Sequence, residues 1–431
     1  MRANTRLLIK IGAVAFCAAA LAACGSNRSI TISNKAARPP RDNSHIVRVY
    51  SSLPLKGPQR QESDSIIAGI NLAFRQIDWR VGSYVIRFES LDDSVTHAKP
   101  VTRAGSIPPA VRNAQKAVHD EHTVAYIGDL DSGATELSLP ILNQAGIVQI
   151  TPGSGYPGLN ESLPPVTLAD EPGKFYPRPK SFTLLRLIPN DMVQAAATLK
   201  LLDSTGCTHV AAVSLDGGVD GPALVQAVKL TAKEYGMVYV AALPGPGKKT
   251  SGYPTYALKL RDAGVNCFVL AGHVTRAAVT LTEAIHGELP TGAIVGSSGF
   301  CSRAWTDPAR HGVSAAVDPY LYCTAPLPPP TKYPVFIADF RRVNHRTPGA
   351  YALIGYRAAE MVIDGVNNLG SGRDDRRAVL AALIGGVGHP SPVAGNYTFD
   401  ARGNLTTHAY AIYHVVHGRP KYYKTLTPKV L

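Results

Sequence analysis

The chain has 431 residues, 44 Lys+Arg against 31 Asp+Glu, a formal charge of +13, and 45% apolar against 17% charged residues. That balance excludes a disordered polyelectrolyte, which is poorer in apolar residues and richer in charge. No uninterrupted apolar run reaches the ~20 residues of a bilayer span, which excludes a polytopic membrane protein, and the length argues for about two or three domains.

The first segment reads as an address. Arg2, Arg6 and Lys10 form a positive stretch, and residues 11–24 carry no charge. The run Leu21-Ala22-Ala23-Cys24-Gly25-Ser26 has the form of a bacterial lipobox, in which the Cys24 thiol takes a diacylglycerol and becomes the mature N-terminus. Residues 1–23 are therefore expected to be a lipoprotein signal peptide, and the protein is expected outside the cytoplasm, held to the cell membrane by the lipid on Cys24. Residues 24–44, rich in Ser, Asn, Arg and Pro, have the composition of a flexible tether. Loss of 1–23 leaves a charge of about +10. Without a dense Lys/Arg run or zinc-finger spacing, that excess does not point to nucleic acid; anionic lipid or wall polymer suits it better, and a merely soluble basic surface accounts for it equally well.

From residue 45 onward, strand-like and helix-like segments alternate. A β-rich run over 46–52 precedes a helical pattern over 63–79, where Ile67, Ile70, Phe74 and Ile77 share one face. A strand over 84–89, a helix over 111–119, a strand over 123–127, a helix over 134–145 and a strand over 147–151 follow. This alternation predicts a parallel sheet with helices on both faces. The Pro- and Gly-rich stretch 152–179 reads as a surface insertion. An extended run over 182–188 opens a second series: helix 192–202, strand 209–215, helix 222–235, strand 238–243, helix 255–263, strand 267–270, helix 277–286 and strand 293–296. After an extended run at 320–325 come helical stretches at 335–343, 351–368 and 376–384. The end reads as a hairpin-like unit of 396–399 with 409–416 around Asp400–Gly403.

Four cysteines remain beyond Cys24: Cys207, Cys267, Cys301 and Cys323. An even number in an oxidising compartment suggests disulfides, and four cysteines allow three pairings. Cys207 and Cys267 each stand at the start of an apolar run, at one edge of a parallel sheet, and Cys301 and Cys323 flank one short stretch. The expected pairs are 207–267 and 301–323. No metal-ligand spacing occurs among the cysteines or the 13 histidines, and no metal or cofactor is expected.

Open parallel sheets bind ligands beyond the C-terminal ends of their strands, where helix starts expose unpaired N–H groups. Three loops stand at such ends: 53–58, 128–135 and 152–157. The hydroxyls and amides of Ser132, Gly133, Thr135, Gly153, Ser154 and Gly155 suit an anionic group; the competing reading is that Ser132 or Thr135 caps its own helix. Around Ser154 the glycine positions of a nucleophile elbow are held by Pro152 and Tyr156, and no nucleophile–base constellation appears, so no enzymatic activity is expected. Gly245–Thr250 lacks the phosphate-loop spacing. Asp92-Asp93 at a strand end reads as a cap or solvated loop rather than a cation site.

At these residues the sequence resembles the branched-chain amino-acid-binding proteins of ABC importers, with the type I periplasmic-binding fold. The matching pieces are 51–58, 68–73, 126–128, 132–135, 140–146, 150–152, 351–356 and 395–400, in family order over essentially the whole mature chain. The resemblance implies two doubly wound parallel-sheet lobes joined by a three-crossing hinge. Lobe one would comprise 45–186 plus 327–390, and lobe two 187–326 plus 391–431. It implies a monomer that closes on a small polar ligand, an amino acid or amide-like compound, and delivers it to ABC permease subunits; a sensory lipoprotein of the same fold is the alternative. The ligand's α-carboxylate and α-amino groups would be held at Ser132 and at the loop Gly153–Gly155, with Asp220, His273, Val274 and Ser298 contributed by lobe two. The chain departs from the amino-acid binders at three of these places. Gly155 stands where they have Thr, Asp220 falls near their Tyr, and Ser298 replaces the acid that balances the ligand ammonium.

Overall fold

The computed structural model describes residues 45–94, 107–178, 181–215, 218–240, 249–369, 375–384, 391 and 395–429. The expected signal peptide, the tether and Cys24 lie outside these residues, as does the end of the strand expected over 238–243. In chain order the first half runs β1 (Ile46–Leu53), α1 (Arg60–Gln76), β2 (Arg80–Val81), β3 (Tyr84–Asp92), α2 (Pro109–His119), β4 (Thr123–Gly128), α3 (Ser132–Ala145), β5 (Val148–Thr151) and β6 (Leu184–Arg186). The second half runs α4 (Asp191–Asp203), β7 (His209–Ser214), α5 (Asp220–Thr231), β8 (Val238–Tyr239), α6 (Tyr253–Asp262), β9 (Cys267–Ala271), α7 (Arg276–Glu288), β10 (Ala293–Gly296), α8 (Arg303–Thr306) and β11 (Leu321–Ala325). The chain then continues through α9 (Pro334–Asn344), α10 (Ala350–Asn367), α11 (Arg376–Ile384), β12 (Tyr410–Val416) and β13 (Arg419–Leu426).

These elements form two sheets, one per lobe. The first has six strands in the order β2-β3-β1-β4-β5-β6, parallel except for β2 against β3. The second has seven strands in the order β13-β12-β11-β10-β9-β7-β8, parallel except at β12 and β13. β1 is buried at seven of its eight positions because helices cover both faces of its sheet. Helices α1 and α10 lie backbone to backbone on one such face. A Cβ on Gly69 would stand 2.0 Å from the Ala352 carbonyl oxygen, and one on Gly355 would stand 2.1 Å from that of Ile66. Only glycine admits that approach. α3 carries Pro140 internally and ends at Gly146, whose left-handed φ of 70° lets its N–H return to the Asn143 and Leu142 carbonyls.

Cys207 is bonded to Cys267 and Cys301 to Cys323, with Cα–Cα distances of 5.8 and 5.3 Å. The first bond joins the starts of the neighbouring strands β7 and β9.

Three expectations need correction. Residues 152–178 are not a surface insertion: Tyr156, Leu159, Val166, Phe175 and Tyr176 are buried in the core that also holds Leu199 and Val210. The C-terminal boundary at 390 falls too early, because Tyr397 and Leu405 pack in the first lobe's core and Arg186 N–H donates to the Gly403 carbonyl. The chain crosses to the second sheet only before Tyr410. There β12 pairs with β13 and not with 396–399; Phe399 makes a lone bridge with Leu405. The turn between the two strands is His417-Gly418, both left-handed with φ of 52° and 67°.

Candidate ligand-binding site

A cavity of about 320 Å³ lies where the C-terminal strand ends of the two sheets face each other, a volume suited to a small organic molecule. From the first lobe it is walled by Gln59 and Glu62 after β1, Leu130 and Asp131 after β4, and Gly153 and Gly155 after β5. From the second come Asp191 and Gln194 on α4, Asp220 and Leu224 on α5, His273 and Val274 after β9, and Ser297 and Ser298 after β10. Tyr351, near the start of α10, and Tyr410, which opens β12, complete it.

Of the ten residues expected to meet a ligand, Gly153, Gly155, Asp220, His273, Val274 and Ser298 line the cavity. Ser132, Gly133, Thr135 and Ser154 do not. The hydroxyls of this second group serve the protein itself. Thr135 Oγ1 and Ser154 Oγ are hydrogen-bonded at 2.7 Å, and Ser154 Oγ donates to the Asp129 carbonyl at 3.2 Å. Ser132 Oγ accepts from the Tyr156 N–H at 3.1 Å. Gly133 stands beside Val219, 3.8 Å from where a Cβ would lie.

The start of α3 explains where Asp220 points. Asp131, the residue before the helix, gives it no side-chain cap, so the first amides are open to a partner from elsewhere. The partner is Asp220 of the other lobe. Its Oδ2 accepts from the Ser132 N–H at 3.2 Å. A negative group at a helix start is favoured there. α4 and α7, by contrast, are capped locally: Asn190 accepts from the Met192 and Val193 amides, and Thr275 from that of Ala278.

Other contacts also cross or edge the cleft. The Gln59 side-chain nitrogen donates to Asp131 Oδ1 at 2.7 Å and lies 2.9 Å from His273 Nε2, itself 3.4 Å from Asp131. Gln194 donates to Ser298 Oγ at 3.0 Å and to Thr324 Oγ1 at 2.7 Å. Asp191 occupies the space a side chain at 155 would need: a Cβ on Gly155 would sit 2.2 Å from Asp191 Oδ1.

The walls are acidic. Burial pushes the Asp220 carboxyl up to about 6, helped by the charge of Asp131 and opposed by Ser132 and His273. Burial, then the charge of Asp220, lifts Asp191 well above the usual carboxylate range against the pull of Arg186. Burial also raises Glu62. Arg186 lies behind the wall, fully buried, its guanidinium donating to the carbonyls of Ser154 and Tyr156 (3.0 Å to the latter) and to Asn404 Oδ1.

The pair Asp92-Asp93 serves the scaffold. Burial raises Asp92, but Lys56, Ser94 and the Leu55 N–H outweigh it and hold the carboxyl well below its usual range. Asp93 is driven up to about 9 by burial and by Asp129 beside it. Among the described residues, no three His, Cys, Asp or Glu are placed to hold a metal ion, and no helix is long and apolar enough to cross a membrane. Sequence reading missed Gln59, Glu62, Asp131, Asp191, Gln194, Tyr351 and Tyr410. Asp131 and Asp191 stand at helix starts directly after strands, the signal that singled out Ser132.

The family profile described as Periplasmic binding protein matches residues 51–420. Among solved structures, the chain is similar to an ABC transporter substrate-binding protein of Desulfitobacterium hafniense in complex with Leu, at 17% identity and a TM-score of 0.68, covering 88% of this chain and 100% of that one. It is similar to a leucine binding protein, LivK, of Thermotoga maritima, at 17% identity and a TM-score of 0.68, covering 89% and 99%. It is similar also to a solute binding protein of an ABC transporter from Rhodopseudomonas palustris in complex with p-hydroxybenzoic acid, at 15% identity and a TM-score of 0.68, covering 89% and 98%. No curated protein matches by sequence.

Proposed function

The chain belongs to the periplasmic binding protein family, and from that premise we propose that it is the lipid-anchored, extracytoplasmic solute-binding protein of an ABC transporter. It captures a small polar organic solute by closing its lobes and presents the closed form to the permease. The observation that carries this reading is the cavity itself: loops from the strand ends of both sheets supply its walls, so a bound solute touches both lobes. A ligand shifts an open–closed equilibrium only through contacts that differ between the two states, and a guest gripped from both sides makes such contacts only on closure. The structures it resembles are reported with leucine and with p-hydroxybenzoic acid, both small organic solutes. Disulfides at Cys207–Cys267 and Cys301–Cys323 agree with an exported protein. The lipobox at Cys24 supplies the anchor.

Two experiments test the reading. Growing the source cells with a radiolabelled fatty acid is expected to label the protein, and Cys24→Ala is expected to abolish the label. Affinity capture of the detergent-solubilised protein is expected to bring down integral permease subunits together with an ATPase. Recovery of a membrane-bound signalling receptor instead would contradict a transport role.

A further inference from the structure

We propose that the cleft takes an organic cation, a small aliphatic amine or guanidine without an α-carboxylate, whose charged end sits among Asp131, Asp191 and Asp220. This inference rests on the solute-binding reading above and narrows it. The cavity wall carries four carboxyl side chains, those of Glu62, Asp131, Asp191 and Asp220, while among the described residues no Lys or Arg lines it and His273 is its single basic side chain. The buried Arg186 is committed to backbone carbonyls and Asn404 behind the wall. A carboxylate solute entering here would meet repulsion from these carboxyls and, among the described residues, find no Lys or Arg on the wall to balance it.

A second observation is independent of that count. Asp191 lines the cavity, is 5% exposed, and has an Oδ2 atom that is buried without a hydrogen-bond partner. Buried polar atoms are almost always satisfied, and an orphaned carboxylate oxygen is costly unless a cation or donor meets it. An ammonium supplies both.

A third concerns what has happened to the places where an amino-acid carboxylate would be expected. The Ser132 amide is taken by Asp220 from the opposite lobe, and the Ser132 hydroxyl by the Tyr156 N–H. The space beside Gly155, where the resemblance implies a Thr side chain, is filled by Asp191. The chain's own carboxylates thus stand in the position of a ligand carboxylate, and the polarity of the remaining space is reversed. Among the described residues no three His, Cys, Asp or Glu are placed to hold a metal ion, whereas an ammonium or guanidinium reaches separate carboxylates through several N–H donors. Leu224, Val274, Tyr351 and Tyr410 give such a guest apolar and aromatic wall for its methylenes, and a tyrosine ring face also attracts an ammonium.

The test is calorimetric titration and thermal shift of the purified full chain against two panels. One holds putrescine, agmatine and spermidine; the other holds L-leucine, L-isoleucine, benzoate and 4-hydroxybenzoate. At least one amine is expected to bind saturably and to raise the melting temperature, while the carboxylates do neither. Asp191→Asn and Asp220→Asn are each expected to weaken that amine at least tenfold, and the melting temperature of each variant shows that it is folded. Amine binding that both folded variants leave unchanged overturns the assignment of the site. Binding of a carboxylate solute with silence from every amine overturns the cation inference and leaves the solute-binding reading standing. Silence in both panels overturns the inference and counts against that reading as well.

Discussion

Asp220→Asn separates the cost of this site from its use. The substitution keeps the shape and still lets an oxygen accept from the Ser132 N–H, but removes the charge. In the folded protein the Asp220 carboxyl titrates at about 6, against about 3.9 for an unfolded aspartate. Burial is the main cause and Asp131 adds to it, while Ser132 and His273 pull the other way. Asp191 on α4 and Glu136 on α3 also repel it, and Arg186 attracts it. A raised carboxyl pKa means that the folded form holds the proton more tightly than the unfolded chain. Below about pH 4 both forms are protonated and the charge costs nothing. Between about 4 and 6 the cost grows, and above about 6 it is complete. Two units correspond to roughly 3 kcal/mol; because Asp220 is partly open to solvent, screening reduces this to roughly 1–2 kcal/mol. The variant is therefore expected to melt about 1–4 °C above the unmodified protein at pH 7.5 and to match it near pH 4, measured by calorimetry without solute. A variant that is less stable at pH 7.5, or a difference independent of pH, would refute the reasoning.

Three further outcomes follow from the packing. Gly155→Ala places a Cβ 2.2 Å from Asp191 Oδ1, so it is expected to cost about 1–3 kcal/mol in urea denaturation and to displace the carboxylate from the cleft. Gly69→Ala meets the Ala352 carbonyl oxygen at 2.0 Å and the Tyr356 nitrogen at 2.8 Å, backbone atoms that cannot swing away; the loss is expected at the upper end of about 1–3 kcal/mol by the same assay. Replacing both Cys207 and Cys267 by Ser opens a link spanning 60 residues and is expected to cost about 2–4 kcal/mol by thermal unfolding.

Much of the architecture was legible because parallel strands buried on both faces are rich in apolar and β-branched residues, as in 46–53 and 123–127, and because the helices between them keep a 3.6-residue period. The ordered short motifs then gave the fold family. β13 escaped because it is an edge strand whose residues Lys421, Tyr422, Tyr423 and Lys424 are largely solvent-facing, so neither an apolar run nor a clean alternation marks it. Residues 152–178 looked like surface because Pro and Gly dominate, yet their few aromatics are buried. Within the site, the backbone positions Gly153 and Gly155 were found from their place after a strand. Ser132 was expected to meet the ligand and does not line the cavity; Asp220 was expected and does, but the bond between them, across 88 residues and the cleft, was not foreseen. Asp191 carried the helix-start signal but was passed over, and its part in the cavity depends on the missing side chain at Gly155.

The central claim is that one small solute is gripped by both lobes at their strand ends, and hydrogen exchange tests it most directly. The full chain is labelled with and without a saturating concentration of the tightest-binding member of the amine panel. The account predicts that slowed exchange appears together in 130–135 and 153–156 of the first lobe and in 219–224, 272–275 and 297–302 of the second. Protection confined to one lobe, or appearing away from these loops, would contradict it.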